Sequence, residues 1–211
     1  VMLVFMLVPI LAPSIGQLVL FVASWRMIFV GFLAMAVIAA IFLEVRQEET
    51  LPRENRVRFS GVNLYRSARE FFRFPTAWGY TISVGFVFAA FIAYLGTSQQ
   101  IFAEQYAQGK LFAIWFGFFA VAIACAMIFN GKMVMRHGMR RMTTWAVRSS
   151  IVISTVFLML ALFTAGHPPL WVFGIYMFAT FFCCGVLFGN YNALAMERVG
   201  HIVGRAAAIT G

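Results

Sequence analysis

The sequence contains no aspartate, and its seven acidic residues are all glutamates in or beside polar segments. Charged residues make up 11% of the chain, against about 25% in an average soluble domain. Acid–base chemistry in a buried site therefore has few carboxylates to use. No cluster of His and Cys at ligand spacing is present, so we expect neither a metal site nor an enzyme.

Cysteine is also scarce. Cys125, Cys183 and Cys184 all fall inside apolar runs. Adjacent cysteines rarely pair with each other, and the third lies in a different run. We therefore interpret all three as small buried hydrophobic residues.

Long apolar runs dominate what is present. The chain is 63% hydrophobic, with a mean hydropathy of +0.89, which predicts an all-α membrane protein. The runs predict six spans and the start of a seventh at Ala206: Val1–Ser24, Met27–Leu43, Thr76–Thr97, Lys110–Asn130, Met142–Ala165 and Leu170–Ala195. Because the chain begins with Val and stops soon after Ala206, we expect a fragment of a longer protein.

The basic residues predict the topology. Successive connections hold one, seven, one, five, no and two Lys or Arg residues. The crowded connections, residues 44–75, 131–141 and 197–205, share one side, which the positive-inside rule places in the cytoplasm. This pattern explains the formal charge of +9 without nucleic acid. Arg148, just inside a span, is interpreted as snorkelling to the surface, with a functional ion pair as the alternative.

The connection Glu44–Pro75 carries seven Arg and five Glu and is predicted to be a linker. Its later part, Val62–Phe74, alternates apolar and basic residues at helical spacing. That pattern predicts an amphipathic helix on the membrane surface. A solvated helix is the alternative.

Two further segments indicate movement. Pro9 and Pro13 lie with Gly16 in the first span, which predicts a bent helix supported by its neighbours. The alternative is that Pro and Gly are simply commoner in membrane helices. Gly131–Arg141 is predicted to be a tight basic turn, for which positive-inside charge alone is the alternative.

That basic turn resembles the cytoplasmic loop signature of the major facilitator superfamily, Gly-x-x-x-Asp-Arg-x-Gly-Arg-Arg, in its second-half copy. Met135 stands at the acidic position of the signature. The matching residues, interpreted as a gating loop, are Gly131, Arg136, Gly138, Arg140 and Arg141.

Other segments extend the resemblance over the whole chain. The first span is similar to the antiporter motif of the fifth helix, Gly-Pro-x-x-Gly-Gly, with Ala12 and Gln17 in place of two glycines. The motif residues in this chain are Pro9, Pro13, Gly16 and Gln17. Further segments resemble drug exporters, in particular the Bcr/CflA subfamily: Ser24–Phe29, Glu49–Pro52, Asn192–Ala195 and Gly204–Gly211.

The resemblance implies helices five to ten and the start of eleven of a twelve-helix transporter. Residues 1–43 would close the first half, 44–75 would link the halves, and 76–211 would open the second. It implies alternating access and proton-coupled export across the bacterial inner membrane. No cofactor besides the proton gradient is expected, and the titrating acid would lie on an earlier helix. The expected partners are membrane lipid and a small-molecule substrate, with the protein a monomer.

A substrate pocket needs aromatic walls and a few polar groups. The third span offers Phe88, Phe91, Tyr94 and Gln99, and the sixth offers Tyr176 and Asn190. With 25 Phe in the chain, lipid-facing or core packing is the alternative for each of them.

We expect a drug:proton antiporter. A metabolite or sugar transporter of the same fold is the alternative. A membrane-embedded enzyme is less favoured, because no mid-membrane cluster of ionisable residues is present. A receptor is less favoured, because the charged connection lies at the midpoint expected of a two-half design.

Overall fold

The computed structural model describes residues 15–16, 18–46 and 60–197. The predicted motif residues Pro9, Pro13 and Gln17, the centre of the linker and the predicted loop after Glu197 lie outside this part. Six α-helices are bounded in it: α1 (Arg26–Arg46), α2 (Gly61–Phe72), α3 (Pro75–Gln100), α4 (Phe112–His137), α5 (Met139–Phe163) and α6 (Leu170–Met196).

Five of the segments are long and apolar enough to cross a membrane, and no strand occurs in the described ranges. They are α1, α3 with its extension to Gln105, α4 with the short turn before it, α5 and α6. Helices suit this environment because lipid offers no partners for backbone polar groups. The prediction of an all-α membrane fold is confirmed.

Two predicted connections are wrong in extent. Residues 98–109 were expected to form a loop, but α3 runs to Gln100 and continues as a π-helical turn over Ile101–Gln105. Residues 131–141 were expected to form a turn, but α4 continues to His137 and α5 begins at Met139. The turn is a single residue, Gly138. Hydropathy marks the apolar part of a helix, whereas the helix itself continues past it.

Helix α6 is the centre of the described bundle. It packs against α3, α4 and α5 and has buried residues along its whole length. Close packing with α4 depends on Gly185, where an added Cβ would lie 2.7 Å from Cβ of Ala126 and 3.0 Å from the Ile123 carbonyl oxygen. Small residues commonly allow membrane helices to approach in this way. In contrast, α1 buries none of its residues.

One end of the bundle, which we call the α2 end, is built from several elements. The linker segment predicted to be amphipathic is indeed helical, as α2. Its Phe71 is buried with Ala77 at the start of α3, and Met196 at the end of α6 packs against them. Arg140, near the start of α5, also reaches the end of α6. The α2 end therefore holds α2, the starts of α3 and α5, and the ends of α4 and α6.

The opposite end is closed by two side-chain hydrogen bonds. The Tyr106 hydroxyl donates to the Pro168 carbonyl oxygen at 2.9 Å, and Gln105 Nε2 donates to the Gly166 carbonyl oxygen at 3.2 Å. These bonds join the α3–α4 connection to the α5–α6 connection. Burial raises the pKa of Tyr106 above its ordinary value of 10.0, because the charged phenolate is poorly solvated there.

Candidate functional site

A cavity of about 220 Å³ lies between α3 and α6, and we call it the α3–α6 cavity. Its walls combine aromatic rings with hydroxyl and thiol groups. Small-molecule sites in proteins have this character, with mostly apolar walls and a few convergent polar atoms. Its main lining residues are Phe91, Tyr94, Thr97, Tyr176, Thr180, Phe181 and Cys184.

Tyr94 is the central wall of the cavity. Its ring packs edge-on against Phe181 with centroids 4.9 Å apart, and its side chain is only 8% exposed. Its hydroxyl forms no well-aligned hydrogen bond with a described residue, and the Ser98 hydroxyl one turn further along α3 is the polar group beside it. Buried hydroxyls normally have a partner, because an unpaired one costs about 1–3 kcal/mol. The open hydrogen-bonding capacity of Tyr94 therefore suits a polar atom of a ligand.

Thr180 offers a second such group. Its hydroxyl is buried and unpaired within the described part of the chain, and Thr180 is one of the residues of the α6 wall of the cavity. Ser98, one helical turn beyond Tyr94, is also fully buried without a partner there. The sequence analysis did not select Thr180 or Ser98. The spacing of Tyr94 and Ser98 at i and i+4 within an apolar run could have indicated a shared polar face.

The structure brings three of the six predicted pocket residues together: Phe91, Tyr94 and Tyr176 all line the α3–α6 cavity. Phe88 lies next to them, with its ring centroid 6.1 Å from that of Phe91, and it is half exposed. Gln99 is exposed and does not line the cavity. That the three residues bind a substrate stays a prediction.

Asn190, the sixth predicted pocket residue, does not line the α3–α6 cavity. It is 3% exposed and exchanges two amide hydrogen bonds with Asn130 of α4, at 2.8 and 3.2 Å. Both amides donate and both accept, so the pair satisfies its own polar atoms inside the bundle. This contact joins α4 to α6, and no local pattern indicates it because the partners are 60 residues apart.

The predicted gating residues lie at the α2 end but do not form one loop. Gly131 and Arg136 are exposed residues within α4. Gly138 has φ 78° and ψ 153°, a backbone conformation that is essentially restricted to glycine. Arg140 forms an ion pair with Glu197 at 3.1 Å, and the Arg141 guanidinium lies 5.1 Å from the ring centroid of Trp145.

Of the predicted antiporter motif only Gly16 is described. It lies in a helical stretch, and a Cβ added to it would meet no atom within 4 Å. This geometry does not test its predicted place in a bent helix that neighbouring helices support.

The cysteines differ from expectation at one position. Cys183 is buried and Cys184 partly buried, but Cys125 is exposed on α4, and all three are free thiols. No group of three or more His, Cys or Glu side chains that could hold a metal ion occurs in the described ranges.

Comparison with known proteins identifies the family. Residues 1–211 match the Major Facilitator Superfamily, and the chain belongs to it. The protein is thus a multi-pass membrane protein with part of a transporter fold, whose environment is lipid.

Two curated relatives are similar over nearly the whole chain. The uncharacterized MFS-type transporter YdgK of Bacillus subtilis is 25% identical over 206 residues, covering 96% of this chain and 50% of YdgK. A bicyclomycin resistance protein homolog of Haemophilus influenzae is 26% identical over 216 residues, covering 99% of this chain and 52% of that protein. The chain spans about half the length of these relatives. No solved structure matches it significantly.

Proposed function

We propose that the protein works as a secondary active transporter that exports amphipathic, drug-like molecules in exchange for protons by alternating access. Family membership supports transport, and the bicyclomycin resistance homolog supports a drug as the cargo. The observation that carries the proposal is the α3–α6 cavity, whose walls are largely aromatic and include Tyr94 and Thr180, two residues with unpaired hydroxyls.

The chemistry of this cavity favours one kind of ligand. No carboxylate or cationic side chain of the described residues lines it, so a strongly charged ligand would lie there without a counter-charge. Aromatic rings favour a flat apolar body, and the two hydroxyls can each bond one polar atom. The proposed substrate is therefore a neutral or weakly basic amphipathic compound.

The remaining roles follow the same proposal. The α2 end would face the cytoplasm of a bacterial inner membrane, and the proton-carrying acid would lie outside residues 1–211. The cytoplasmic gate would be formed by five residues, Gly131, Arg136, Gly138, Arg140 and Arg141. The Arg140–Glu197 ion pair can break and re-form there as the gate moves. The antiporter motif would favour exchange of substrate for protons over passive leakage of either, and its residues are Pro9, Pro13, Gly16 and Gln17. The subfamily would be Bcr/CflA, and the protein would act as a monomer.

The test is drug susceptibility of an efflux-deficient bacterium that expresses the full-length gene. We expect resistance to a set of amphipathic compounds, and a protonophore should abolish it. Unchanged susceptibility across a broad panel would contradict drug export. Uptake of a sugar or other metabolite in the same cells would instead support the alternative cargo, for which hydroxyl-lined walls are also suited.

The site itself is tested by Tyr94→Phe, with Tyr65→Phe on the exposed face of α2 as the matched control. Losing one hydrogen bond of about 1 kcal/mol should weaken substrate affinity about fivefold. Thermal stability should be unchanged or slightly higher, because the hydroxyl forms no well-aligned hydrogen bond with a described residue. Equal transport by both variants would remove Tyr94 from the site.

A further inference from the structure

A second hollow lies on the opposite side of α6. A groove of about 490 Å³ runs between α4, α5 and α6, and we call it the α5 groove. Its wall residues include Phe129, Trp145, Ser149, Ile153, Phe178 and Phe182. Apart from the Ser149 hydroxyl and the Trp145 N–H, these side chains are hydrocarbon. Water needs two to four polar partners, so an apolar chain is the better occupant.

The length of the α5 groove matches one leaflet of a bilayer. The part of the α5 wall that lies below both arginines runs from Ser149 in the groove to Leu160 in the hollow that continues it, eleven residues or about 16 Å along the axis. Half of a hydrocarbon core of about 30 Å is nearly the same distance. A second hollow of about 270 Å³ continues the groove beyond Ile153 and Ala179, between α5 and α6.

Two arginines flank Trp145, a wall residue of this groove, along α5. Arg141, Trp145 and Arg148 are spaced i, i+4 and i+7 on α5, so they share one face. The Arg141 guanidinium lies over the Trp145 ring. Neither Arg141 nor Arg148 has a carboxylate partner in the described ranges, whereas Arg140 has Glu197.

Arg148 lies so far along α5 that a nearby anion would stabilise its charge. It is the tenth residue of α5, about 14 Å along the helix from Met139. Helical side chains point toward the N-terminus, which directs Arg148 toward Arg141 and the α2 end. A charged side chain at membrane depth is costly unless it reaches an anion or water.

We propose that the α5 groove binds one anionic phospholipid. Its phosphate lies between the Arg141 and Arg148 guanidinium groups, Trp145 packs against the glycerol region, and one acyl chain fills the hollow along Ser149, Ile153 and Phe182. This site is separate from the α3–α6 cavity and does not depend on the proposed cargo.

The experiment is native mass spectrometry of the full-length protein in detergent, titrated with phosphatidylglycerol or with phosphatidylcholine of the same acyl chains. Wild type should hold one phosphatidylglycerol more tightly than phosphatidylcholine. Because each basic contact contributes about 1 kcal/mol, R141Q/R148Q should weaken that binding about 30-fold. The matched control is R69Q/R73Q, which removes two exposed charges from the α2 end away from the groove.

A second variant tests the α5 groove without changing its charge. Ser149→Trp should fill it and displace the acyl chain, so phosphatidylglycerol binding should fall while both arginines remain. Equal lipid binding by wild type, R141Q/R148Q and S149W would overturn the proposal. It would also be overturned if S149W converted a dimer to a monomer, since a second copy would then be the occupant.

Discussion

The two sides of α6 differ in the chemistry that they present. Toward α3 the helix faces a small cavity with aromatic walls and unpaired hydroxyls. Toward α5 it faces a groove that is larger and mostly apolar, with Arg141 over the ring of its wall residue Trp145. Cys183 lines the groove and Cys184 lines the cavity, because consecutive residues of a helix point about 100° apart.

This difference shows that one helix can separate two environments inside the same bundle. A small hollow with aromatic walls and a few polar side chains suits a molecule that must be recognised and released. A mostly apolar hollow with arginines beside its α5 wall suits a molecule that stays. The two sides can therefore be tested independently, since each has its own natural thiol.

The largest effect is expected where α6 touches α4. In Gly185→Ala the new Cβ would lie 2.7 Å from Cβ of Ala126 and 3.0 Å from a backbone oxygen, so α6 must shift and alter both hollows. We expect a loss of about 1–3 kcal/mol in stability, measured by thermal unfolding in detergent. Gly189→Ala is the control, because its Cβ meets no atom within 4 Å, and it should not destabilise. Equal melting of the two variants would show that the close contact is unimportant.

Thiol labelling compares the two sides directly. With Cys125 replaced by Ser, two variants of the full-length protein keep either Cys183 or Cys184 and carry Ala at the other. At about ten times its dissociation constant a ligand leaves about one site in ten free, so labelling should slow about tenfold. A transported drug should slow maleimide labelling of Cys184, and phosphatidylglycerol that of Cys183.

The predicted difference between the two sides of α6 is contradicted if one ligand protects Cys183 and Cys184 equally. That result would mean that the two hollows communicate or that the ligand acts by tightening the whole bundle. Protection of Cys183 alone by the drug would move the cargo to the α5 groove.

A smaller effect is expected from the amide pair that fixes α6 on α4. Asn190→Leu leaves the Asn130 amide without its described partner. Polar pairs between membrane helices contribute about 0.6 kcal/mol on average and about 1.7 at most. A double-mutant cycle with Asn130→Leu should therefore give a coupling energy in that range. Asn192→Leu, whose amide bonds only the Phe188 carbonyl within the described chain, should show no coupling to Asn130→Leu.

An effect of similar size is expected at the end opposite α2, where the Tyr106 hydroxyl donates to the Pro168 carbonyl. Tyr106→Phe should lower stability by about 1 kcal/mol at neutral pH. Because the folded state raises the pKa of Tyr106, the protonated phenol is the form that stabilises. Its contribution is complete below the ordinary pKa of 10.0 and is lost as pH rises through the raised value. The stability difference between wild type and variant should therefore shrink in strongly alkaline buffer, and a constant difference would contradict this account.

The sequence predicted the number and order of the described spans because each is an apolar run long enough to cross a membrane. The ends of the helices were predicted less accurately than the spans. Gly131 was predicted to be a turn residue. Glycine is tolerated inside membrane helices, however, and α4 runs on through it to His137. Charge near a span shows where the membrane surface is, whereas a helix ends where its backbone conformation changes, here at Gly138.

The candidate site was only partly predictable. Aromatic residues at helical spacing on α3 indicated Phe91 and Tyr94, but which face meets α6 depends on the rotation of both helices, and a single sequence does not encode that locally. Asn190 was chosen as a polar residue in a span, yet its partner is Asn130. The Arg140–Glu197 pair was missed for the same reason, since its partners are 57 residues apart.

The single-residue joint at Gly138 has a mechanical consequence. With only Gly138 between them, the end of α4 and the start of α5 must move together. Any displacement of α4 by a neighbouring helix would be transmitted to α5 and felt by whatever molecule holds its arginines.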